Sequence, residues 1–364
     1  MPTRAGVIRI GLAILFGVVA VAVTATAGMP HAIAIPDGVT REIMLFDVRT
    51  GEYVGCLALG EVGEVDSPLD CARGPTLSIE DDEYPDTVLV SDLTLGSVFA
   101  IDPDDGTVLK TFLAGVGARG LACDPDGKLL VAAGTAGVLA YQADGTPAGV
   151  RIAPKPVDGP RKAWDVLVRR EVAGGDGDLL VADPSLDRIL RFDLNGTRLG
   201  IFAELPSFRF VEQLALCASG NVLAVDTLGG AVHEFAEDGT WLREITVTRP
   251  RGVIELLSGD LLVASEDGVQ VFDGETGDLL ATPMAGYPVS APRYVTLLYR
   301  PGDMTGDGII NNFDIGPFVL ALTNLERFAE LYPSVHGPFA GDVNGDGVFN
   351  NFDIAAFVDA LLGG

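Results

Sequence analysis

The sequence predicts a mainly β fold, a six-bladed β-propeller followed by a small α-helical module, and three observations support this prediction. A unit of short strands and tight turns recurs through most of the chain. Glycines mark one turn of each copy at a nearly constant spacing. From residue 301 onward the pattern changes to two copies of an acidic segment, each followed by a stretch with helical periodicity.

The recurring unit begins with a continuous apolar run, which is typical of a strand buried on both faces. Each run is followed by an alternating segment, such as Arg188–Phe192, and then by a hairpin signal. The apolar runs are residues 88–90, 129–131, 179–181, 222–224 and 261–263. The turn glycines are Gly106, Gly145, Gly196, Gly239 and Gly277, which lie 38 to 51 residues apart. This spacing is close to the ~40 to 50 residues of a four-stranded propeller blade.

A sixth copy lies near the N-terminus and lacks its innermost strand. Residues 32–35 form its apolar run and residues 42–47 its alternating segment. The missing strand is present at the other end of the repeat region, at residues 293–298. We therefore expect a propeller domain over residues 28–300, whose first blade is completed by both ends and whose closed ring protects the sheet edges.

Acidic residues near the strands suggest two different roles. Asp92, Asp183 and Asp226 follow apolar runs at matching places, and we expect their side chains to hydrogen-bond the next turn. Glu212 and Glu255 lie near innermost strands, where a side chain can face the central channel. These two are the carboxylates that a channel site would use.

The sequence pattern of residues 119–133 and 177–193 resembles that of NHL-type and gluconolactonase-like six-bladed propellers, and the resemblance covers about residues 30 to 300. Lactonase relatives hold a divalent metal in the channel with Glu, Asn and Asp. No convergent Asn partners can be matched here to Glu212 or Glu255. The resemblance therefore implies the fold and leaves catalysis open.

The C-terminal segment contains two near-identical stretches, residues 302–315 and 341–354, which begin 39 residues apart. Each has the spacing of a 12-residue calcium loop, in which positions 1, 3, 5, 7, 9 and 12 supply oxygen ligands. The expected ligands are Asp303, Thr305, Asp307, the Ile309 carbonyl, Asn311 and Asp314 in loop one, and Asp342, Asn344, Asp346, the Val348 carbonyl, Asn350 and Asp353 in loop two. We therefore predict two Ca²⁺ ions, with weaker binding in loop one because Thr305 is uncharged.

Each loop leads into an amphipathic helix, with apolar residues at 315, 318, 319 and 322 and again at 354, 357, 358 and 361. Position 12 is Asp instead of the usual Glu of an EF-hand. In these features residues 301–364 resemble a type I dockerin, which implies docking to a cohesin-like protein through positions 10 and 11 of each loop. Those positions are Asn312, Phe313, Asn351 and Phe352. The alternative is that both phenylalanines pack inside the module.

The N-terminal residues and the cysteines bear on the compartment. Arg4 and Arg9 precede an apolar run that is shorter than the ~20 residues of a membrane span, and small residues end it. We expect residues 1–27 to be a cleaved signal peptide, with a retained anchor as the alternative. The mature chain would have no membrane span and would be secreted to the extracellular space or cell surface, or to a periplasm. There Cys56 and Cys71 could either pair or remain free.

Composition limits the partners. Asp and Glu number 51 against 24 Lys and Arg, a formal net charge of −27, which disfavours nucleic acid as a partner. The sequence thus predicts an exported calcium-binding protein whose propeller binds a polysaccharide or surface ligand while the dockerin attaches it to an assembly. The alternative is a carbohydrate-active enzyme, such as a glycoside hydrolase, lactonase or lyase, because dockerins usually accompany polysaccharide-degrading enzymes.

Overall fold

The structure, a computed structural model, describes residues 31–59, 65–74, 77–79, 82–84, 87–154, 159–172, 175–285, 289–307, 309–344 and 348–363. The predicted signal peptide, residues 1–27, and the expected ligand Asp346 lie outside the described residues. Among the residues that are described, no helix has the length and apolar character needed to cross a membrane.

Six four-stranded antiparallel sheets form the blades of a propeller, as the repeats predict. From the innermost strand outward, the first blade is β26 (Thr296–Leu298), β1 (Ala32–Pro36), β2 (Glu42–Phe46) and β3 (Tyr53–Ala58), and the second is β4 (Pro68–Gly74), β7 (Thr87–Asp92), β8 (Val98–Ile101) and β9 (Val108–Leu113). The third blade is β10 (Leu121–Cys123), β11 (Leu129–Ala132), β12 (Val138–Tyr141) and β13 (Pro147–Ile152), and the fourth is β14 (Asp165–Val172), β15 (Gly175–Asp183), β16 (Arg188–Asp193) and β17 (Arg198–Glu204). The fifth blade is β18 (Val211–Leu216), β19 (Val222–Asp226), β20 (Ala231–Phe235) and β21 (Trp241–Thr246), and the sixth is β22 (Gly252–Glu255), β23 (Leu261–Ser265), β24 (Gly268–Phe272) and β25 (Leu279–Ala281). A small hairpin, β5 (Leu77–Ile79) and β6 (Asp82–Tyr84), projects from the second blade.

The first blade is closed by both ends of the repeat region, as predicted. β26 pairs with β1 in an antiparallel register that places Ala32 opposite Leu298 and Ala34 opposite Thr296. The closing strand is shorter than the predicted residues 293–298. The Arg293 N–H still donates to the Pro36 carbonyl of β1 at 2.9 Å, but the Tyr294 N–H donates to the Leu69 carbonyl of the second blade at 3.1 Å, so the pairing with β1 is interrupted there.

Among the described residues, six hydrophobic clusters of the propeller each lie between two neighbouring blades, and a smaller cluster contains Leu69, Trp164 and Tyr294. The second strand of a blade contributes to the clusters on both of its sides, so β7, β11, β19 and β23 are buried along their whole length. This packing explains the continuous apolar runs in the sequence. The outermost strand β25 has one free edge and is exposed.

The predicted turn glycines are required by packing between blades. Gly106 has φ +79°, and a Cβ there would lie 2.4 Å from the Ala58 carbonyl oxygen of the preceding blade. Gly239 has φ +91°, and its Cβ would lie 2.1 Å from the Phe202 carbonyl oxygen. Both positions need left-handed backbone and close approach, which only glycine combines.

The aspartates that recur after the apolar runs have the predicted structural role, as Asp92 illustrates. Asp92 accepts hydrogen bonds from the N–H groups of Thr94 (2.9 Å) and Leu95 (2.7 Å) in its own turn. Its other oxygen accepts from Asp66 (2.6 Å) and Ser67 (2.9 Å), which precede the innermost strand of the same blade. The carboxylate therefore holds together two loops at one mouth of the channel.

The described residues of the C-terminal module form four helices, α1 (Ile315–Thr323), α2 (Leu325–Leu331), α3 (Gly337–Gly341) and α4 (Asp353–Gly363). The two predicted helices are α1 and α4, and their Phe318 and Phe357 rings stack 4.0 Å apart in the module core. The predicted apolar faces are wrong in part, because Ile315 is 45% and Val319 52% exposed. The module core buries only part of the apolar face of each of these helices, and the rest of that face is exposed on the surface.

Candidate functional site

The innermost strands β4, β10, β14, β18, β22 and β26 line a central channel, and a group of polar side chains from four of these strands lies against it. We call this group the throat: Asp70, Asp165, Gln213 and Thr296. The Asp70 carboxylate accepts from the Leu121 N–H (2.7 Å) of the next blade and from the Thr296 hydroxyl (2.8 Å). Its side chain therefore ties three innermost strands together.

The other members of the throat make equivalent ties between blades. Asp165 accepts hydrogen bonds from the N–H groups of Val166 and Leu214, both at 2.8 Å. Gln213 accepts from the Val253 N–H (3.0 Å) and donates to the Val295 carbonyl (2.8 Å). The throat thus holds the inner ring together through side chains, because the innermost strands have no sheet partner on the channel side.

Burial changes the protonation of the throat. It raises the pKa of Asp70 to about 7. It also raises the pKa of Asp165 to about 8, with the charge of Asp70 as the second cause. Beside them, the Tyr294 hydroxyl is fully buried, and no hydrogen-bond partner for it lies within the described part of the chain. The throat therefore prefers to be uncharged near neutral pH.

Above the throat, at the mouth where the innermost strands begin, cationic side chains surround Glu212. This carboxylate is buried and pairs with Arg251 at 3.1 Å, and it also accepts from the Trp164 indole N–H at 3.3 Å. The Arg119 guanidinium and the Lys162 ammonium lie 4.6 and 4.7 Å from the centre of the Trp164 ring. Glu212 thus faces the channel side of the propeller, but it is fully engaged with protein groups.

Below the throat lies a cavity of about 620 Å³. Its walls are mainly apolar and include Ala122, Leu167, Ile254 and Leu297 from four different blades. Glu255, the second predicted channel carboxylate, is also on the wall and accepts from the Ala218 N–H at 2.6 Å. The cavity therefore has an apolar body and the two throat carboxyls at its inner end.

The C-terminal module covers the outer end of this cavity. His336, Pro338 and Phe339, at the start of α3, line the cavity, and the Phe339 ring stacks on Tyr299 at 5.7 Å. The His336 N–H donates to His31 Nε2 at 3.0 Å. Burial, and then the nearby His336, lowers the pKa of His31 to about 4, so its ring is neutral and can accept this bond at neutral pH. The module thus packs on the lower mouth through neutral rings.

The two predicted calcium loops share two backbone hydrogen bonds to the carboxylate at position 12. In loop one, the position-12 carboxylate of Asp314 accepts from the N–H groups of Thr305 and Asn311, both at 2.9 Å. In loop two, Asp353 accepts from Asn344 (3.1 Å) and Asn350 (2.8 Å). These are the same loop positions, so the sequence repeat is also a repeat of local structure.

The first loop also buries its position-1 carboxylate. Asp303 accepts from the N–H groups of Gly306 (2.7 Å) and Asp307 (3.2 Å), and both Asp303 and Asp314 are fully buried. The expected ligand atoms of the loop are all oxygens, which are the ligands that calcium prefers. Within the described residues, no group of three or more His, Cys, Asp or Glu side chains converges as a metal site. Calcium occupancy of the loops stays a prediction.

The predicted docking residues lie on the surface. Phe313 and Phe352 are each 72% exposed, so the alternative that they pack inside the module is wrong. Each follows a short turn in which the position-9 Asn accepts its N–H at 2.8 Å. Asn351 precedes Phe352 in an exposed turn, and Asn312 is at the same place in loop one. The two loops therefore present the same pair of side chains in the same way.

None of the four cysteines, all of which lie in the described part of the chain, forms a disulfide bond. Cys71 is buried in β4, where it belongs to the core between the first two blades, whereas Cys56 is exposed on β3. The possible Cys56–Cys71 disulfide is therefore not formed. Burial raises the pKa of the Cys71 thiol well above its usual value, which keeps this side chain in the role of a small apolar residue.

Sequence reasoning missed the throat and the basic mouth. Asp70 and Asp165 resemble any other acidic strand residue, and only ring closure brings them together. A signal for the mouth was present, because a cation comes just before the innermost strand in five of the six blades. These cations are Arg119, Arg161, Lys162, Arg209, Arg249, Arg251 and Arg293. In a chain of net charge −27 such clustering is informative.

No protein-family model and no curated protein matches the chain, but solved structures do. It is similar to a protein from Bacteroides caccae, with 16% identity, TM-score 0.50, and coverage of 73% of this chain and 98% of that one. A chain of a nidogen/laminin complex is 14% identical with a TM-score of 0.57, and the match covers 73% of this chain and 97% of that one. A gluconolactonase from Xanthomonas campestris is 19% identical with a TM-score of 0.44, and the match covers 71% of this chain and 88% of that one. At these identities the first two likenesses show a shared fold alone.

Proposed function

We propose that this protein is an exported, calcium-dependent docking protein whose propeller serves as the ligand-binding part. The C-terminal module would attach the chain to a cohesin-like partner in an extracellular or surface assembly. The observation that carries the proposal is the equal, high exposure of Phe313 and Phe352 on two loops with the same hydrogen bonds. Large exposed aromatic side chains on a rigid support are typical of interface anchors.

Calcium would act on this surface through the loops that carry it. The expected ligands are those named above for loop one and loop two. In loop one, Asp303 and Asp314 are both fully buried and both bond Thr305, so the repulsion between their carboxylates opposes the loop structure unless a cation balances it. Calcium binding would therefore stabilise the turns from which Phe313 and Phe352 project.

The docking proposal is tested by capture with the full chain as bait. The immobilised protein is exposed to the native extracellular fraction with calcium or with chelator, and a recurring partner is expected only with calcium. Because the two loops are equivalent, either Phe313→Ser or Phe352→Ser alone should retain capture, whereas the double variant should lose it. Val150→Ser, at an exposed apolar residue on the propeller rim, is the matched control. Capture by the double variant would refute the proposed surface.

An enzyme in polysaccharide breakdown is the second candidate, and one observation favours it. The raised pKa values of Asp70 and Asp165 would suit a general acid near neutral pH. Both carboxyls, however, accept backbone hydrogen bonds from the neighbouring blade, which supports a structural role. Hydrolysis of a glycan or lactone panel that is lost in Asp165→Asn, with the fold retained, would favour the enzyme.

A further inference from the structure

The cavity below the throat has the properties of a small-molecule site. Its volume of about 620 Å³ is within the ~300 to 1,000 Å³ of ligand sites. Several apolar wall residues, among them Ala122, Leu167 and Leu297, are only partly buried although they lie deep in the fold. Their free surface faces the cavity, so a ligand that covered it would gain hydrophobic stabilisation.

The polar groups of the cavity select the charge of the ligand. Asp70 and Asp165 are at the inner end, and Glu255 and His336 are on the wall. No lysine or arginine among the described residues lines this space, so an anionic group would have no partner. Burial raises the pKa of Asp70 to about 7 and that of Asp165 to about 8, so both carboxyls are protonated in part at neutral pH, and a protonated carboxyl can donate its O–H to a neutral oxygen.

The cavity also has a lid and an opening. The lid is the α3 segment, where the Phe339 ring stacks on Tyr299 and the His336 N–H donates to His31 Nε2 of the propeller (3.0 Å). On the wall formed by the fifth and sixth blades, Leu216 and Leu257 are 38% and 37% exposed. These residues mark a side on which the cavity reaches solvent.

We propose that the cavity between the throat and α3 binds an uncharged, largely apolar small molecule whose oxygen-bearing end points toward Asp70 and Asp165, and that α3 is its lid. The proposal rests on the role of the propeller as the ligand-binding part. It needs neither calcium nor the docking partner. Bound ligand would replace water against the apolar wall and would be retained by the ring of Phe339.

A pair of related dyes tests the proposal on the full chain. N-phenyl-1-naphthylamine is neutral, whereas 1-anilinonaphthalene-8-sulfonate has nearly the same rings and a sulfonate. The neutral dye should bind with enhanced fluorescence and one site per chain, and the anionic dye should bind at least about tenfold more weakly, a difference of about 1.4 kcal/mol. Equal binding of both dyes would indicate an exposed apolar surface and would overturn the proposal.

Two cavity-filling variants locate the site. Ala122→Phe and Ile254→Phe, from opposite blades, should each weaken binding of the neutral dye by about tenfold or more, because the new ring occupies the cavity. Ala148→Phe, on the exposed outer strand β13, is the matched control and should have no effect. Circular dichroism identifies any variant that fails to fold. If the folded variants bind as well as the parent, the dye is elsewhere and the assignment is wrong.

A lid variant separates this proposal from the docking function. Phe339→Ala should speed dissociation of the neutral dye in stopped-flow measurements, while Phe313→Ser with Phe352→Ser should leave dye binding unchanged. Loss of partner capture with normal dye binding would refute docking alone. Normal capture without dye binding would refute the cavity alone.

Discussion

The raised pKa of Asp165 makes a specific prediction about how stability depends on pH. The ordinary pKa of an aspartate carboxyl is 3.8, whereas in the folded chain burial raises the pKa of Asp165 to about 8. The folded state therefore holds this proton more tightly than the unfolded state. The stabilising contribution is complete below about pH 4 and is lost progressively as the pH rises toward about 8. Asp165→Asn, which mimics the protonated carboxyl, should remove most of this loss.

The size of the effect follows from the pKa difference. One unit corresponds to about 1.4 kcal/mol, so raising the pH from about 5 to about 8 should reduce the free energy of unfolding by roughly 4 kcal/mol. This is an upper figure, because entry of water around an ionised Asp165 would reduce it. Asp70, with a pKa raised to about 7 by burial, would act in the same direction. Glu212 and Tyr294 also face this group.

The Asn variant has a cost that the same structure predicts. Asp165 accepts two backbone N–H groups, from Val166 and Leu214, and the amide nitrogen of Asn can accept neither. At about pH 5 the variant should therefore be less stable than the parent by about 1 to 3 kcal/mol. At about pH 8.5 the difference in free energy of unfolding between the parent and the variant should become smaller or change sign. The reason is that only the parent must then either bury a charged carboxylate or hold a proton above the pKa of its carboxyl.

Urea unfolding at a series of pH values measures both curves. Asp238→Asn is the control, because this exposed turn residue has its pKa lowered, first by the Thr240 N–H, and so is ionised throughout the range. The control should parallel the parent. If Asp165→Asn has the same slope as the parent between about pH 5 and pH 8.5, the reasoning about the throat is wrong.

Three further predictions concern the fold and the module. Asp178→Ala should cost about 3 to 5 kcal/mol in urea unfolding, because it leaves the guanidinium of Arg169 unpaired although that side chain is only 1% exposed; a loss below about 1 kcal/mol would contradict this. Removal of residues 290–364, which includes β26, should lower the melting temperature of the propeller far more than removal of 302–364, and equal losses would refute closure by β26. In calorimetric titration, Asp342→Ala should weaken calcium binding more than Thr305→Ala, since it removes a charge from the loop; no calcium uptake by the parent at millimolar concentration would defeat the calcium assignment.

The parts of the fold that were predictable are those set by local chemistry. Turn glycines such as Gly106 and Gly239 are recognisable because a left-handed turn needs them, and they recur with the blade length. Runs such as 222–224 are recognisable because neighbours on both sides of a strand require apolar side chains at every position. Five copies of both signals, a sixth apolar run at residues 32–35 and the separate strand at 293–298 were enough to predict the ring and its closure.

The throat could not be predicted because its properties arise from positions far apart in the chain. The carboxyl of Asp70 meets Leu121 and Thr296, which are 51 and 226 residues away. Nothing in the sequence around Asp70 distinguishes it from Asp92, whose carboxylate serves an ordinary turn. The exposure of Ile315 was unpredictable for a related reason, since helical periodicity gives an apolar face but not how much of it a small module can cover.

The chain order connects the proposed calcium site with the proposed cavity. α3 carries Phe339 over the cavity, and the residue that caps its C-terminus is Asp342, the first expected ligand of loop two. Calcium bound there would restrain the end of α3, and a ligand beneath Phe339 would restrain its beginning. Two ligands that each order the same short helix must favour one another, and by the same factor in both directions. Calcium should therefore tighten binding of the neutral dye, and the dye should tighten calcium binding equally. If calcium leaves the affinity for the dye unchanged, α3 does not couple the two sites.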